Sequence, residues 1–247
     1  VAVLYVPGYG DNTVAEFAFG LLLNLTRKIY QGIDQIKETG SFSLQGLRGA
    51  DIKGKTLGVI GTGRIGREVI KIAKGFGMNV FAYDPFPNNE FAAQAGFGYG
   101  DLDAVLSQSD IATIHCPLND STRHLINEGN IGKMKRGSYL INTARGPIVE
   151  TEALIVALKD GTLAGAGLDV IGEEGETKDE LNFLAVGHPN EENLKVVLRN
   201  HVLMKMPNVL MTPHCAFNSK EALERILGTT LDNVKSFIAG NPTNIAQ

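Results

Sequence analysis

Residues 57–66 read LGVIGTGRIG: an apolar, β-branched run that leads into G-x-G-x-x-G and then into a segment of helical period. Each glycine has its own physical task. Gly61 permits the tight turn, Gly63 lets backbone approach a diphosphate, and Gly66 lets the helix pack closely on the strand. The first helical turn then offers free N–H groups to negative charge. Ile65, Val69, Ile72, Ala73 and Phe76 recur at spacings of three and four, which predicts a helix over 64–76 stopped by Gly77. The following strand ends at Asp84, 23 residues after Gly61, about where a carboxylate accepts hydrogen bonds from an adenosine ribose. No arginine occurs in residues 85–88, and a carboxylate at Asp84 would repel a 2′-phosphate, so the expected cofactor is NAD and not NADP. An empty glycine turn and an ordinary strand-end aspartate are the plainer readings. The succession of the two at this spacing argues against both.

The rest of the chain is punctuated in the same α/β manner. Residues 56–60, 79–83, 111–115, 139–142, 167–170 and 209–212 read as short buried strands separated mostly by helical stretches. That alternation specifies a doubly wound parallel sheet of Rossmann type, with helices on both faces. Two long helices are predicted outside the sheet pattern, over 13–30, where Thr13 and Glu16 have capping-box spacing, and over 219–239. Residues 172–201 are rich in charge and read as an insertion with irregular helices.

Composition narrows the function classes. Of 247 residues 43% are hydrophobic and 20% charged, which suits a globular core, and a net charge of −4 attracts neither nucleic acid nor an anionic membrane surface. The apolar run at 17–25 is too short to span a bilayer and is interrupted by Gly20 and Asn24. Two cysteines, Cys116 and Cys215, match neither a disulfide scaffold nor a zinc site, so no metal is expected and a reducing cytoplasm fits best. The chain opens on Val1 without the pattern of a signal peptide, and is expected to be truncated at its N-terminus.

Chemistry in a doubly wound sheet gathers beyond the carboxyl ends of its strands. Arg145 follows the strand through Asn142, Asp169 ends the next with Glu174 five residues on, and His214 follows the strand at 209–212. A cation to orient a carboxylate and polarise a carbonyl, with an acid to protonate the oxygen, is what hydride transfer to a ketone requires. Singly, His214 also reads as a core histidine, Arg145 as a surface ion pair and Glu174 as a solvated loop carboxylate; their joint placement favours a site. His115, His124, His188 and His201 read as structural.

With these motifs the sequence resembles the D-isomer-specific 2-hydroxyacid dehydrogenase family over residues 7–237. The stretches that carry the likeness are VPGYG at 6–10 leading to VAE at 14–16, the glycine loop, HCPL at 115–118, LINTARG at 140–146, GLDV at 167–170 and TPH at 212–214. The resemblance implies catalytic roles for Arg145, Glu174 and His214. It implies NAD contacts at Arg64, Ile65, Asp84, Cys116, Pro117, Thr122, Thr143, Ala144 and Asp169, beside Gly61, Gly63 and Gly66, with Arg145 and His214 bordering the cofactor. His214, Cys215, Ala216 and Phe217 are similar to the D-lactate dehydrogenase branch, which favours a small 2-oxo acid or 2-hydroxy acid substrate. Glu174 stands where formate dehydrogenases of the family have glutamine, which disfavours that chemistry. Asn218 and Ser219 depart from lactate-type members with an aromatic there, which bears on side-chain selectivity.

Family members begin with a flavodoxin-like substrate domain. The likeness therefore implies a NAD-binding domain over 8–217, with 1–7 and 218–247 as remnants of the substrate domain. It also implies a homodimer, in which the helix at 13–30 lies at a two-fold interface. The family includes NAD(H)-sensing corepressors too, so a non-catalytic sensor is the alternative function.

Overall fold

In the computed structural model, residues 2–172 and 191–246 are described. The strands at Thr56–Ile60 (β1) and Asn79–Tyr83 (β2) form as predicted, with the helix Arg64–Gly75 (α3) between them. Next come α4 (Asn89–Ala95), β3 (Gly98–Tyr99), α5 (Leu102–Gln108), β4 (Ile111–Ile114) and β5 (Ser138–Asn142). The chain continues through α6 (Thr151–Asp160), β6 (Leu163–Leu168), α7 (Glu191–Met204), β7 (Val209–Met211) and α8 (Lys220–Ile238). Among the described residues, seven strands form one sheet in the order β3-β2-β1-β4-β5-β6-β7, and every neighbouring pair is parallel.

Strand order reverses between β1 and β4, which opens a crevice at their carboxyl ends. The glycine loop lies there. Gly61 has φ +93°, and a Cβ on it would stand 2.6 Å from the Cys116 amide nitrogen, so only glycine lets the loop after β1 lie against the end of β4.

Each face of the sheet carries its own core. Leu106, Ile114, Leu140, Leu154, Leu163 and Leu203 fill one beneath α5, α6 and α7; Leu22, Leu57, Val59, Ile70 and Ile141 fill the other beneath α3 and a first helix, α1 (Asp11–Arg27). That placement corrects the expectation that the early helix stands outside the sheet. Leu21 and Leu25 of α1 lie against Gly165 and Gly167 of β6, where a Cβ would come within 3.0–3.2 Å of them. The same glycines weaken the strand signature, which is why β6 starts four residues before the predicted 167.

The helix expected over 13–30 is two helices. The returning chain donates from Ala50 N to Thr26 O at 2.8 Å, α1 ends, Lys28 takes a left-handed turn at φ 56°, and α2 (Ile29–Thr39) sets off anew. The capping box at Thr13 is likewise absent: α1 begins at Asp11, and Thr13 Oγ1 instead accepts from Arg225 Nη2 of α8 at 3.1 Å. At the far end Ser219 does cap α8, accepting from Ala222 N at 3.1 Å. Within 172–201, residues 173–190 are outside the described residues; the part from Glu191 belongs to a regular helix, α7, that packs on α6 and β7. The two ends of the chain pair, through a bridge between Leu4 and Ile245 and a bond from Asn233 Nδ2 to Tyr5 O at 3.0 Å. Among the described residues no helix is long and apolar enough to cross a membrane, and no group of His, Cys, Asp or Glu is arranged to hold a metal.

Candidate active site

A cleft of about 850 Å³ runs along the carboxyl ends of the central strands. It is walled by residues 5–11, the start of α3, the loop after β4, the turn after β5 and the loop after β7. Arg64, Ile65, Cys116, Pro117, Thr143, Ala144, Arg145, Asp169 and His214 all line it. Asp84 and Thr122 lie outside its wall. Thr122 Oγ1 is folded into its own loop, donating to Pro117 O at 2.6 Å and accepting from Asn119 N at 2.8 Å. Glu174 lies outside the described residues.

The floor fits a dinucleotide. A Cβ on Gly66 would stand 2.1 Å from Gly61 O, so α3 can start this close to β1 only with glycine there. Around Gly63 the opposite holds: among the described residues no heavy atom lies within 4 Å of where its Cβ would be, and no side chain caps α3. An open backbone at a helix N-terminus suits an anionic diphosphate. Arg64 leans over Gly8, its Nε 3.4 Å from Asp11 Oδ2. Farther in, the buried Thr143 Oγ1 has no hydrogen-bond partner among the described residues, a cost that a polar ligand in the cleft would relieve.

Asp84 closes the glycine loop from the side. Its Oδ2 accepts from Thr62 N at 2.7 Å and from Thr62 Oγ1 at 2.9 Å, and its Oδ1 accepts from Phe86 N at 2.9 Å. The carboxylate is thus at the predicted strand end and half-exposed. Thr62 was not singled out in the sequence, because a residue between two glycines carries no periodic signal.

Arg145 stands on a turn that Asn142 organises. Asn142 Oδ1 accepts from Ala144 N at 3.0 Å and Nδ2 donates to Arg145 O at 2.9 Å. The arginine side chain is exposed, with Nη1 donating to Ala144 O at 2.6 Å. Behind it a Cβ on Gly146 would collide with Ile171 O, so the turn after β5 lies flat on the chain that leaves β6.

The loop that carries His214 hangs from Asp169. This fully buried carboxylate accepts from Thr212 Oγ1 at 2.5 Å, Cys215 N at 3.0 Å and Ala216 N at 2.8 Å. Those bonds hold His214 at φ 52°, a left-handed conformation that costs a non-glycine residue about 1–3 kcal/mol and persists only where surroundings over-determine it. A second cavity of about 890 Å³, lined by Leu21, Gln31, Met204 and Met206 among others, also reaches Asp169 and His214. The loop is therefore thin-walled on two sides.

Two further groups border the cleft at the end of β4. His115 bonds Thr113 Oγ1 through Nε2 at 2.8 Å, and burial pushes its pKa down to about 3, so it is neutral at physiological pH. Burial, and secondarily the charge of Asp84, pushes the Cys116 thiol up to about 11. Burial raises Cys215 too, with Asp169 adding to it. Both cysteines are free thiols.

A sequence model described as "D-isomer specific 2-hydroxyacid dehydrogenase, NAD binding domain" matches residues 19–216. The chain is 43% identical over 239 residues to 2-hydroxyacid dehydrogenase A of Aspergillus oryzae, covering 96% of this chain and 65% of that one. It is 38% identical to D-lactate dehydrogenase of Escherichia coli, covering 96% and 69%. Among solved structures, D-lactate dehydrogenase from Aquifex aeolicus complexed with NAD and lactic acid superposes with a TM-score of 0.87 at 36% identity, covering 98% and 70%. The chain spans about two thirds of the length of these relatives.

Proposed function

Because the chain belongs to the D-isomer specific 2-hydroxyacid dehydrogenase family, through its NAD-binding domain, we propose that it serves the NAD-dependent interconversion of a small D-2-hydroxy acid and its 2-oxo acid, D-lactate and pyruvate first among them. The observation that carries this reading is the convergence of Arg145, Asp169 and His214 on the cleft that Arg64 and Ile65 also line.

NAD, when bound, supplies the hydride acceptor and NADH the donor. The chain's residues supply the rest. Arg145 offers a guanidinium fork to the substrate carboxylate and polarises the reacting carbonyl. His214 gives a proton to the substrate oxygen in reduction and takes it back in oxidation. Glu174 is assigned as the carboxylate that favours the imidazolium, on its place in the sequence. Asp84 takes the adenosine ribose, the glycine loop takes the diphosphate, and Cys116, Pro117, Thr122, Thr143 and Ala144 flank the cofactor. Residues 8–217 form the nucleotide-binding unit. Residues 1–7 and 218–247 belong to the substrate side. A homodimer and a cytoplasmic location complete the reading, the latter supported by two unpaired thiols. No observation on the described residues favours the NAD(H)-sensor alternative.

The test is NADH oxidation on pyruvate, 2-oxobutyrate and longer 2-oxo acids. His214→Ala is expected to lower the reduction rate about 10²–10⁴-fold while NADH still binds. An unchanged rate in that variant, or a protein that binds no NADH, would overturn the proposal.

A further inference from the structure

The carboxylate on which the NAD assignment rests is held by a chain of hydroxyls. Thr62, only 3% exposed, donates to Asp84 Oδ2 from both its amide and its hydroxyl. Having spent its one proton there, Thr62 Oγ1 can only accept from Tyr99 Oη, 2.8 Å away. Tyr99 Oη in turn accepts from Asn88 N at 3.3 Å. The direction of every link is therefore set: Asn88 N–H to Tyr99, Tyr99 O–H to Thr62, Thr62 O–H to Asp84, each polarising the next. The relay joins the loop after β1, the turn after β2 and the edge strand β3.

The lone-pair count shows what the relay does. An ionised carboxylate has about four acceptor positions. Thr62 fills both on Oδ2, and Phe86 N fills one on Oδ1, which leaves a single position on Oδ1 for a ligand. Rotation of the carboxylate would break two bonds at Oδ2 at once. A carboxylate free to turn could swing away from a 2′-phosphate; one held in this way cannot, and must meet it as a like charge.

We infer that Thr62 and Tyr99 are specificity-determining positioning residues, whose hydroxyl relay fixes Asp84 and so sets the preference of this site for a ribose 2′-hydroxyl over a 2′-phosphate. The inference rests on the assignment of Asp84 to the ribose, and the experiment separates the two.

NADH and NADPH are titrated calorimetrically into the wild type, Asp84→Asn, Thr62→Val, Thr62→Ser and Tyr99→Phe, with a thermal melt of each. Thr62→Val is expected to lower the ratio of the NADPH Kd to the NADH Kd about tenfold and Tyr99→Phe about threefold, on the scale of one lost charge-assisted or neutral hydrogen bond. Thr62→Ser keeps the hydroxyl and should keep the ratio. A merely structural role would lower Tm and weaken both dinucleotides together, leaving the ratio unchanged. If Asp84→Asn lowers the ratio while Thr62→Val and Tyr99→Phe do not, the relay is overturned and the ribose assignment survives. If Asp84→Asn leaves the ratio at the wild-type value, the ribose assignment fails and the relay with it. Should Thr62→Val not fold, Tyr99→Phe decides, since its ring packing on Phe97 is preserved.

Discussion

At the end of β4 two adjacent side chains are held neutral by their surroundings, and each yields a measurable consequence. Cys116, with its thiol raised to about 11, forms roughly a hundredfold less thiolate at pH 8 than a thiol at the ordinary value of 9.0. Because the higher-pKa thiolate is also the stronger nucleophile, iodoacetamide should modify Cys116 about tenfold more slowly than a free peptide thiol, and NADH should slow it further, because Cys116 lines the cleft. Mass-spectrometric rates check this; a rate equal to the free thiol would refute it. His115 acts on stability. Its pKa is depressed from 6.5 to about 3 in the fold, so below pH 6.5 the unfolded chain binds a proton that the folded one refuses. Stability from this group is complete above pH 6.5 and drains away as pH falls toward 3, by about 1–2 kcal/mol at pH 5. Urea midpoints between pH 7.5 and 5 should decline in the wild type and decline less in His115→Gln; equal slopes would exclude the histidine. Asp110 and Asp160, both lowered below 3.8, titrate beneath that window. The sequence marks His115 and Cys116 as neighbours of a strand end, yet assigns His115 no setting. Its protonation state follows from enclosure, which no local pattern encodes.

The strand, glycine loop and helix that open the nucleotide site make up an element in which the three glycines do different work, and two substitutions separate them. Gly66→Ala would drive a Cβ into Gly61 O, a backbone atom that cannot yield cheaply, and should destabilise the protein by about 2–4 kcal/mol and abolish NADH binding. Gly63→Ala meets nothing within 4 Å and has an ordinary φ of −63°, so Tm should hold while NADH affinity falls, because the methyl stands where the diphosphate approaches. Thermal melts paired with NADH titrations test the pair; the same outcome for both would show the division of labour to be wrong. This element was fully legible, since its signals are local: β-branched residues, glycines at fixed offsets and a period of 3.6. The break at Lys28 was not legible. It depends on Ala50 N reaching Thr26 O, a contact between segments more than twenty residues apart. The two-residue β3 is likewise too short to carry any alternation.

Over the whole molecule the apolar surface is unevenly covered. The buried face of α1 is used against β5 and β6. Exposed apolar side chains form one stripe on α8, at Leu223, Leu227, Leu231, Val234 and Phe237, and another on α2 and just beyond it, at Ile29, Tyr30, Ile33 and Ile36 with Phe42 at 85% and Leu44 at 86%. Symmetric pairing through the α2 stripe is the proposed basis of a homodimer. Sedimentation equilibrium should give twice the 26.5 kDa of one chain, and Ile33→Glu with Phe42→Ser should shift it to monomer; a wild-type monomer at micromolar concentration would refute the pairing. What the sequence determined by itself is the class of sheet, the glycine loop, the acidic strand end and the identity of the residues at the carboxyl ends of the strands. Those follow from periodicities and spacings that operate within about thirty residues. Tertiary structure alone decided that Asp169 suspends the His214 loop, that Thr62 and Tyr99 hold Asp84, and that α1 packs on β6 through two glycines. Each of these is a contact between distant segments, specified by shape and by lone pairs that only the folded chain brings within reach.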